Sequence, residues 1–271
     1  MNNAIVTIVR NTFMEAFRKR IFQVIFIFSI LIILSTQFFT FFTFGEEVKI
    51  LKDIGIAGIT FFSLVIALVI GSSCIQTDME KKTIYTVLSY PVSRKEYIYG
   101  RAAGVFCYIV FAVVILSMVF YVALSIKTYF IGQKFGDEAR FSFVTFSNNI
   151  ELLKGIWLII VRCFIIVSIA LLLSMFFQQT FTIIVCFLAY VLGHLTGFIA
   201  NMAASTGKIF GYLMTGFYYI FPNLEFFNVS DYISVGKHIS ASYTLLVSIY
   251  GIIYSLMLIL ITAKIFEKKD M

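Results

Sequence analysis

The sequence predicts an all-α polytopic membrane protein in a single domain over residues 1–271. The expected architecture is six transmembrane helices, an N-terminal amphipathic interfacial helix, a short cytoplasmic helix between spans two and three, and an external re-entrant or interfacial helix before the last span. Three observations lead there. Apolar residues make up 61% of the chain and charged residues 13%, against about 45–50% and about 25% in an ordinary soluble domain. Six apolar stretches reach the ~20 residues that a helix needs to cross the roughly 30 Å hydrocarbon core. Lys and Arg gather at alternate connections between those stretches.

The same composition excludes other classes. Two prolines and sixteen glycines beside 32 Phe and 15 Tyr do not make a disordered or collagenous chain. The net charge of +7 sits beside apolar runs, where basic residues report orientation in a membrane rather than a nucleic-acid partner. Cys74, Cys107, Cys163 and Cys186 fall inside apolar runs without metal-ligand or disulfide spacing, so they read as packing residues and no metal is expected.

Residues 3–20 come first. Ile5, Val9, Phe13 and Phe17 recur at four-residue steps, with Arg10, Asn11, Arg18 and Lys19 on the other side. This is a basic amphipathic helix on the cytoplasmic leaflet, or alternatively a plain extension of span one with its charges in the headgroups. The spans follow near 21–44, 55–75, 102–126, 155–177, 180–200 and 243–264. The first is too long for a signal peptide and no small-residue cleavage site follows it, so it is expected to be retained.

Six spans put both termini on one side of the membrane. Twelve Lys and Arg fall on that side, including Arg18, Lys81, Arg94 and Lys268. Eight fall in the opposite, longer loops together with eight acidic residues. The bias sets both termini in the cytoplasm. Ile209–Phe221 is apolar, but at thirteen residues it is too short to cross. It reads as the re-entrant or interfacial external helix, ended by Pro222.

The cytoplasmic connection, residues 78–101, carries the most information. Thr77 with Glu80 fits a capping box opening a short helix, and Ser93 with Glu96 fits a second that runs into span three. Ile84, Val87 and Leu88 share one face between them, and Pro91 stops the first helix. Such a segment could pass a push from a soluble partner into the bundle, or could simply be a stiff loop.

In that connection Glu80, Thr83, Leu88, Ser89, Pro91, Val92, Ser93, Arg94, Gly100 and Arg101 stand in the order typical of the permease subunits of ABC-2 type ABC transporters. The chain resembles that family, departing from it at Lys82, where Gly is usual, and at Arg101, where Lys is common. The likeness extends to the N-terminal helix, the spans, the aromatic external segment, the Phe221-Pro222-Asn223-Leu224 stretch and the basic tail.

The resemblance implies a permease of the inner membrane that pairs with a second copy or a paralogue among membrane lipids. It implies coupling to two cytoplasmic ABC ATPase subunits, which would bind ATP and Mg. The coupling residues would be Glu80, Thr83, Leu88, Pro91, Ser93 and Arg94, on a helix that rests in a cleft of the ATPase. The chain has no phosphate-binding loop of the Gly-x-x-x-x-Gly-Lys-Ser/Thr form, so hydrolysis would belong to the partner. The aromatic external portion is compatible with lipid-like or peptide cargo. Rival readings are a membrane regulator that keeps the ATPase but transports nothing, and an intramembrane enzyme.

Catalytic groups are few. His194 and His238 belong to no His-Glu-x-x-His motif and no Gly-x-Ser-x-Gly is present, so no enzymatic activity is expected of this chain itself. Arg162 lies about seven positions into span four, roughly 10 Å along the helix. It reads as a pathway or interface residue, or as a snorkelling cation. His194, in span five, reads as a packing histidine or a partner in the same pathway. Gly100 with Gly104 and Gly193 with Gly197 are spaced for close helix approach.

Overall fold

The computed structural model describes residues 2–39, 47–80, 93–135, 146–205, 221–235 and 237–268, and among them there is no strand. The elements are α1 (Asn2–Arg18), α2 (Arg20–Phe39), α3 (Glu47–Glu80), α4 (Arg94–Phe135), α5 (Phe146–Leu173), α6 (Gln179–Ser205), a 3-10 turn (Glu225–Phe227), α7 (Ser230–Ser234) and α8 (Ala241–Lys268). Among the described residues five segments are long and apolar enough to cross a bilayer: Lys49–Met79, Arg94–Lys127, Ile150–Leu173, Gln179–Thr196 and Ala241–Lys268. Helix α2 is apolar as well, and its side chains are described over Gln23–Ser35. The chain is thus an all-helical, multi-pass membrane protein. The expected external helix at 209–221 lies outside the described residues apart from Phe221.

A helix is the economical way to hold such a sequence in lipid, because every backbone group is satisfied within the segment. The hydroxyls obey the same constraint. Ser29 donates to Ile25 O at 2.6 Å, Ser117 to Val113 O at 2.7 Å, Ser168 to Phe164 O at 2.8 Å and Thr262 to Leu258 O at 2.8 Å. Each polar side chain is thereby absorbed by its own helix.

Helices α3, α4 and α5 form the centre. Helix α3 packs on α2, α4, α5 and α6, while α8 packs on α5 and α4. In the most apolar windows, 67% of α5 and 61% of α3 is buried, against 28% of α6 and of α8. The last two are therefore peripheral, with Leu245, Ile249, Leu256 and Leu260 of α8 exposed along one side. In a bilayer this outward face meets apolar solvent and costs nothing.

Helix α1 lies along α4 and runs in the same direction. Ile8 sits on Gly100 and Thr12 on Gly104, and Phe13 meets Tyr108 and Phe111 edge to face at 5.8 and 5.6 Å. Glycine is what allows the approach: a Cβ at Gly104 would come within 2.9 Å of the Val9 carbonyl oxygen, which cannot yield as a flexible side chain would. The Gly100/Gly104 pair is the seat of the N-terminal helix. The break between α1 and α2 at Lys19 is slight, since Lys19 N still donates to Glu15 O and Gln23 N to Lys19 O.

Two capping expectations have different outcomes. Ser93 and Glu96 make the reciprocal box: Ser93 N donates to the Glu96 carboxylate at 2.9 Å, and Glu96 N donates to Ser93 Oγ at 3.3 Å. From this cap α4 continues unbroken to Phe135. Thr77 does not cap a new helix. Helix α3 passes through it to Glu80, because Gln76 and Asp78 are buried on the bundle side and their packing extends the helix past the point where the local motif would restart it.

Candidate functional site

The connection 81–92 leaves the C-terminal end of α3 and enters the N-terminal end of α4, so the chemistry at those two ends governs what that connection can move. Thr83, Leu88 and Pro91 lie outside the described residues, as does the side chain of Glu80. Ser93 and Arg94 are described. Ser93 caps α4, and Arg94 Nη1 donates to the Glu267 carbonyl oxygen at 3.3 Å, tying the start of α4 to the end of α8. Lys95 adds an ion pair with Glu267 at 3.0 Å, and Tyr97 stacks on Phe266 with centroids 5.7 Å apart.

One turn further into α4 stands Arg101, buried between three helices. Its Nη2 pairs with Asp78 of α3, and its Nη1 donates to Glu15 Oε2 of α1 at 2.7 Å and to Thr12 Oγ1 at 3.3 Å. Tyr97 also donates its hydroxyl to Asp78. Lys19 completes the set with an ion pair to Glu15 at 3.2 Å and a long contact to Ser73 Oγ at 3.5 Å. Arg101 and Asp78 are about nine-tenths buried as side chains and Glu15 is one-third exposed. The guanidinium fork suits this work, since its donors are fixed in one plane and reach two carboxylates at once.

Burial of Glu15 opposes its ionisation. The hydrogen bond and charge of Arg101, with help from Lys19, outweigh that cost and hold its carboxyl below the usual value of 4.5. Asp78, Glu15 and Tyr97 were not among the residues singled out from the sequence. The available signal was two opposite charges, Asp78 and Arg101, at the apolar boundaries of consecutive helices.

Arg162 and His194 lie far from this junction but near one another. Arg162, in the middle of α5, is 4% exposed and turns toward α6, where its guanidinium lies over the Tyr190 ring at 5.9 Å. Tyr190 meets the His194 ring edge to face at 4.6 Å. His194 Nδ1 is 3.2 Å from Glu225 Oε2, in the 3-10 turn. Arg162 Nη2 and His194 Nε2 are buried without a hydrogen-bond partner among the described residues.

The Glu225 turn is fixed from two sides. Leu224 N donates to Gly193 O at 3.0 Å, and Asn223 N donates to the Tyr250 hydroxyl oxygen of α8 at 3.0 Å. Gly193 again permits contact, since a Cβ there would come within 2.8 Å of Leu224 and 2.9 Å of the Pro222 carbonyl oxygen. Glu225 N donates in turn to Asn223 Oδ1 at 3.1 Å. The Phe221-Pro222-Asn223-Leu224 stretch is therefore the support of the acid that faces His194.

A third polar group holds the segment before α8. Glu151 of α5 accepts from Ile239 N at 3.0 Å and pairs with Lys154 at 2.9 Å and His238 at 2.8 Å, while Lys154 also donates to Ile239 O at 2.7 Å. Among the described residues no three His, Cys, Asp or Glu side chains are placed to hold a metal ion.

Comparison with protein-family models and with curated proteins found no match to this chain. The functional reading therefore rests on the residues and their arrangement.

Proposed function

We propose that this chain is the permease subunit of an ABC transporter of exporter or flippase type. In this reading it crosses the inner membrane six times with both termini in the cytoplasm, and α2 supplies the first span. The observation that carries the reading is mechanical. Both ends of the 81–92 connection are anchored in one charged joint, where Asp78, Arg101, Glu15 and Tyr97 tie α3, α4 and α1 together. A load applied to that connection by a nucleotide-driven partner would enter three helices together. It would also reach α8 through Arg94, Lys95 and Tyr97.

The motif order from Glu80 to Arg101 supports the same reading, and so does the Ser93 cap that starts α4 as a rigid continuation of the connection. Two such chains would enclose the path, and separate ATPase subunits would supply ATP and Mg chemistry. The test is purification of the full chain in mild detergent with its cytoplasmic partners retained. ATP hydrolysis should co-purify with the wild-type chain. A Pro91→Ala change, which would let the short helix run on, should lower ATPase retention several-fold while membrane insertion is kept. A chain that brings down no ATP-hydrolysing subunit, or whose retention ignores Pro91→Ala, contradicts the proposal.

A further inference from the structure

We propose that Arg162 and His194 form a binding site inside the helix bundle for a phosphate monoanion, either free or as the end of an amphipathic molecule. A guanidinium does not lose its proton in a protein, so burial leaves a permanent cation in a medium where an uncompensated charge is costly. Arg162 makes no ion pair among the described residues, and its Nη2 is buried without an acceptor. The face of Tyr190 offers partial compensation at 5.9 Å. It cannot accept the directed hydrogen bonds that the fork presents.

His194 supplies the second half. Its Nδ1 faces the Glu225 carboxylate, which accepts only, so the ring proton sits on Nδ1. Its Nε2 is buried and unpartnered, on the ring that packs against the same Tyr190. With that proton on Nδ1, Nε2 carries a lone pair and accepts a hydrogen bond from the P–OH of a phosphate monoanion. Two unmet nitrogens, a donor on a fixed cation and an acceptor on the imidazole, thus flank a single aromatic ring, and a phosphate monoanion, whose charged oxygens accept and whose P–OH donates, satisfies both. Charge-assisted bonds of this kind are the strong ones. The acid that orients His194 is held in turn by Asn223 and by the seat of Leu224 on Gly193.

The site stands apart from the transport reading, since binding requires neither ATP nor a partner. The experiment uses the full chain in nanodiscs of phosphatidylcholine alone, with radiolabelled inorganic phosphate and radiolabelled dodecyl phosphate as probes. At least one probe should bind saturably, at least tenfold more weakly in Arg162→Gln, several-fold more weakly in His194→Gln and with intermediate strength in Arg162→Lys. Binding of inorganic phosphate identifies a free anion as the ligand class. Binding of dodecyl phosphate alone identifies a lipid-like one, and either supports the site. Circular-dichroism melting checks that the variants fold. Should Arg162→Gln fail to fold, His194→Gln decides alone. No saturable binding of either probe by the wild type, or binding unchanged in the folded variants, overturns the proposal.

Discussion

Arg101 and Arg162 are both buried arginines in long apolar helices, and their surroundings are opposite. Around Arg101 every charge finds its complement: Asp78 and Glu15 take the two arms of the fork, Thr12 adds an acceptor and Lys19 balances the second carboxylate. Around Arg162 the only partner among the described residues is an aromatic face, and the one nearby acid, Glu225, is engaged by His194. A closed network fixes geometry, and removing its guanidinium takes the shared cation from both carboxylates. An open one carries a cost in stability that a bound ligand would relieve. The difference separates the joint that holds the helices from the pair of buried groups left unsatisfied.

The largest effect should come from breaking the closed network. Arg101→Gln takes from Asp78 and Glu15 the buried cation they share, and removal of one partner from a buried pair typically costs about 3–5 kcal/mol. Denaturation in mixed micelles should show that loss. Adding Asp78→Asn to Arg101→Gln should recover a substantial part of it, because the second change removes the acid's charge as well. A double variant as weak as the sum of the two singles would mean that the pair does not act as a unit.

A smaller loss is expected where α1 meets α4. Gly104→Val places branched carbon against Thr12 and the Val9 carbonyl, an overpacking that typically costs about 1–3 kcal/mol. Its specific sign is release of α1. A cysteine placed at Thr12, buried in the wild type, should react faster with a thiol reagent in the Gly104→Val background.

How much of this was legible in the sequence divides along physical lines. The long helices follow from unbroken apolar runs and the Ser93/Glu96 cap from short-range spacing, so both could be read from the chain; the Gly100/Gly104 spacing marked a close helix approach but not that α1 is the helix seated there. Thr77 misled because a capping motif is a local preference, and burial of Asp78 against Arg101 overrode it. The Arg101 network draws its members from α1, α3 and α4, and the proximity of Arg162 to His194 depends on how α5 packs against α6. No local pattern encodes either. Arg162 and His194 were visible as unusual residues, but Tyr190 and Glu225, which link and orient them, were not.

The smallest expected effect is on acidification. A carboxylate held below its ordinary value contributes stability above that value and loses it as the pH falls through the lowered one. The contact from Glu15 to Arg101 and Lys19 should therefore be intact at neutral pH and weaken only below 4.5. Protection of the Thr12 cysteine should fall over that acid range, and Glu15→Gln, which cannot ionise, should abolish that part of the pH dependence.

The most direct measurement compares the two arginines in one assay, the unfolding of Arg101→Gln and Arg162→Gln in mixed micelles without added ligand. A large loss is expected for Arg101→Gln and no loss, or a gain, for Arg162→Gln, since the first change removes the cation that Asp78 and Glu15 share and the second removes a cation that has no acid partner among the described residues. Equal destabilisation of the two variants would show that Arg162 is as much a structural tie as Arg101, and would contradict the distinction between a closed joint and an open site.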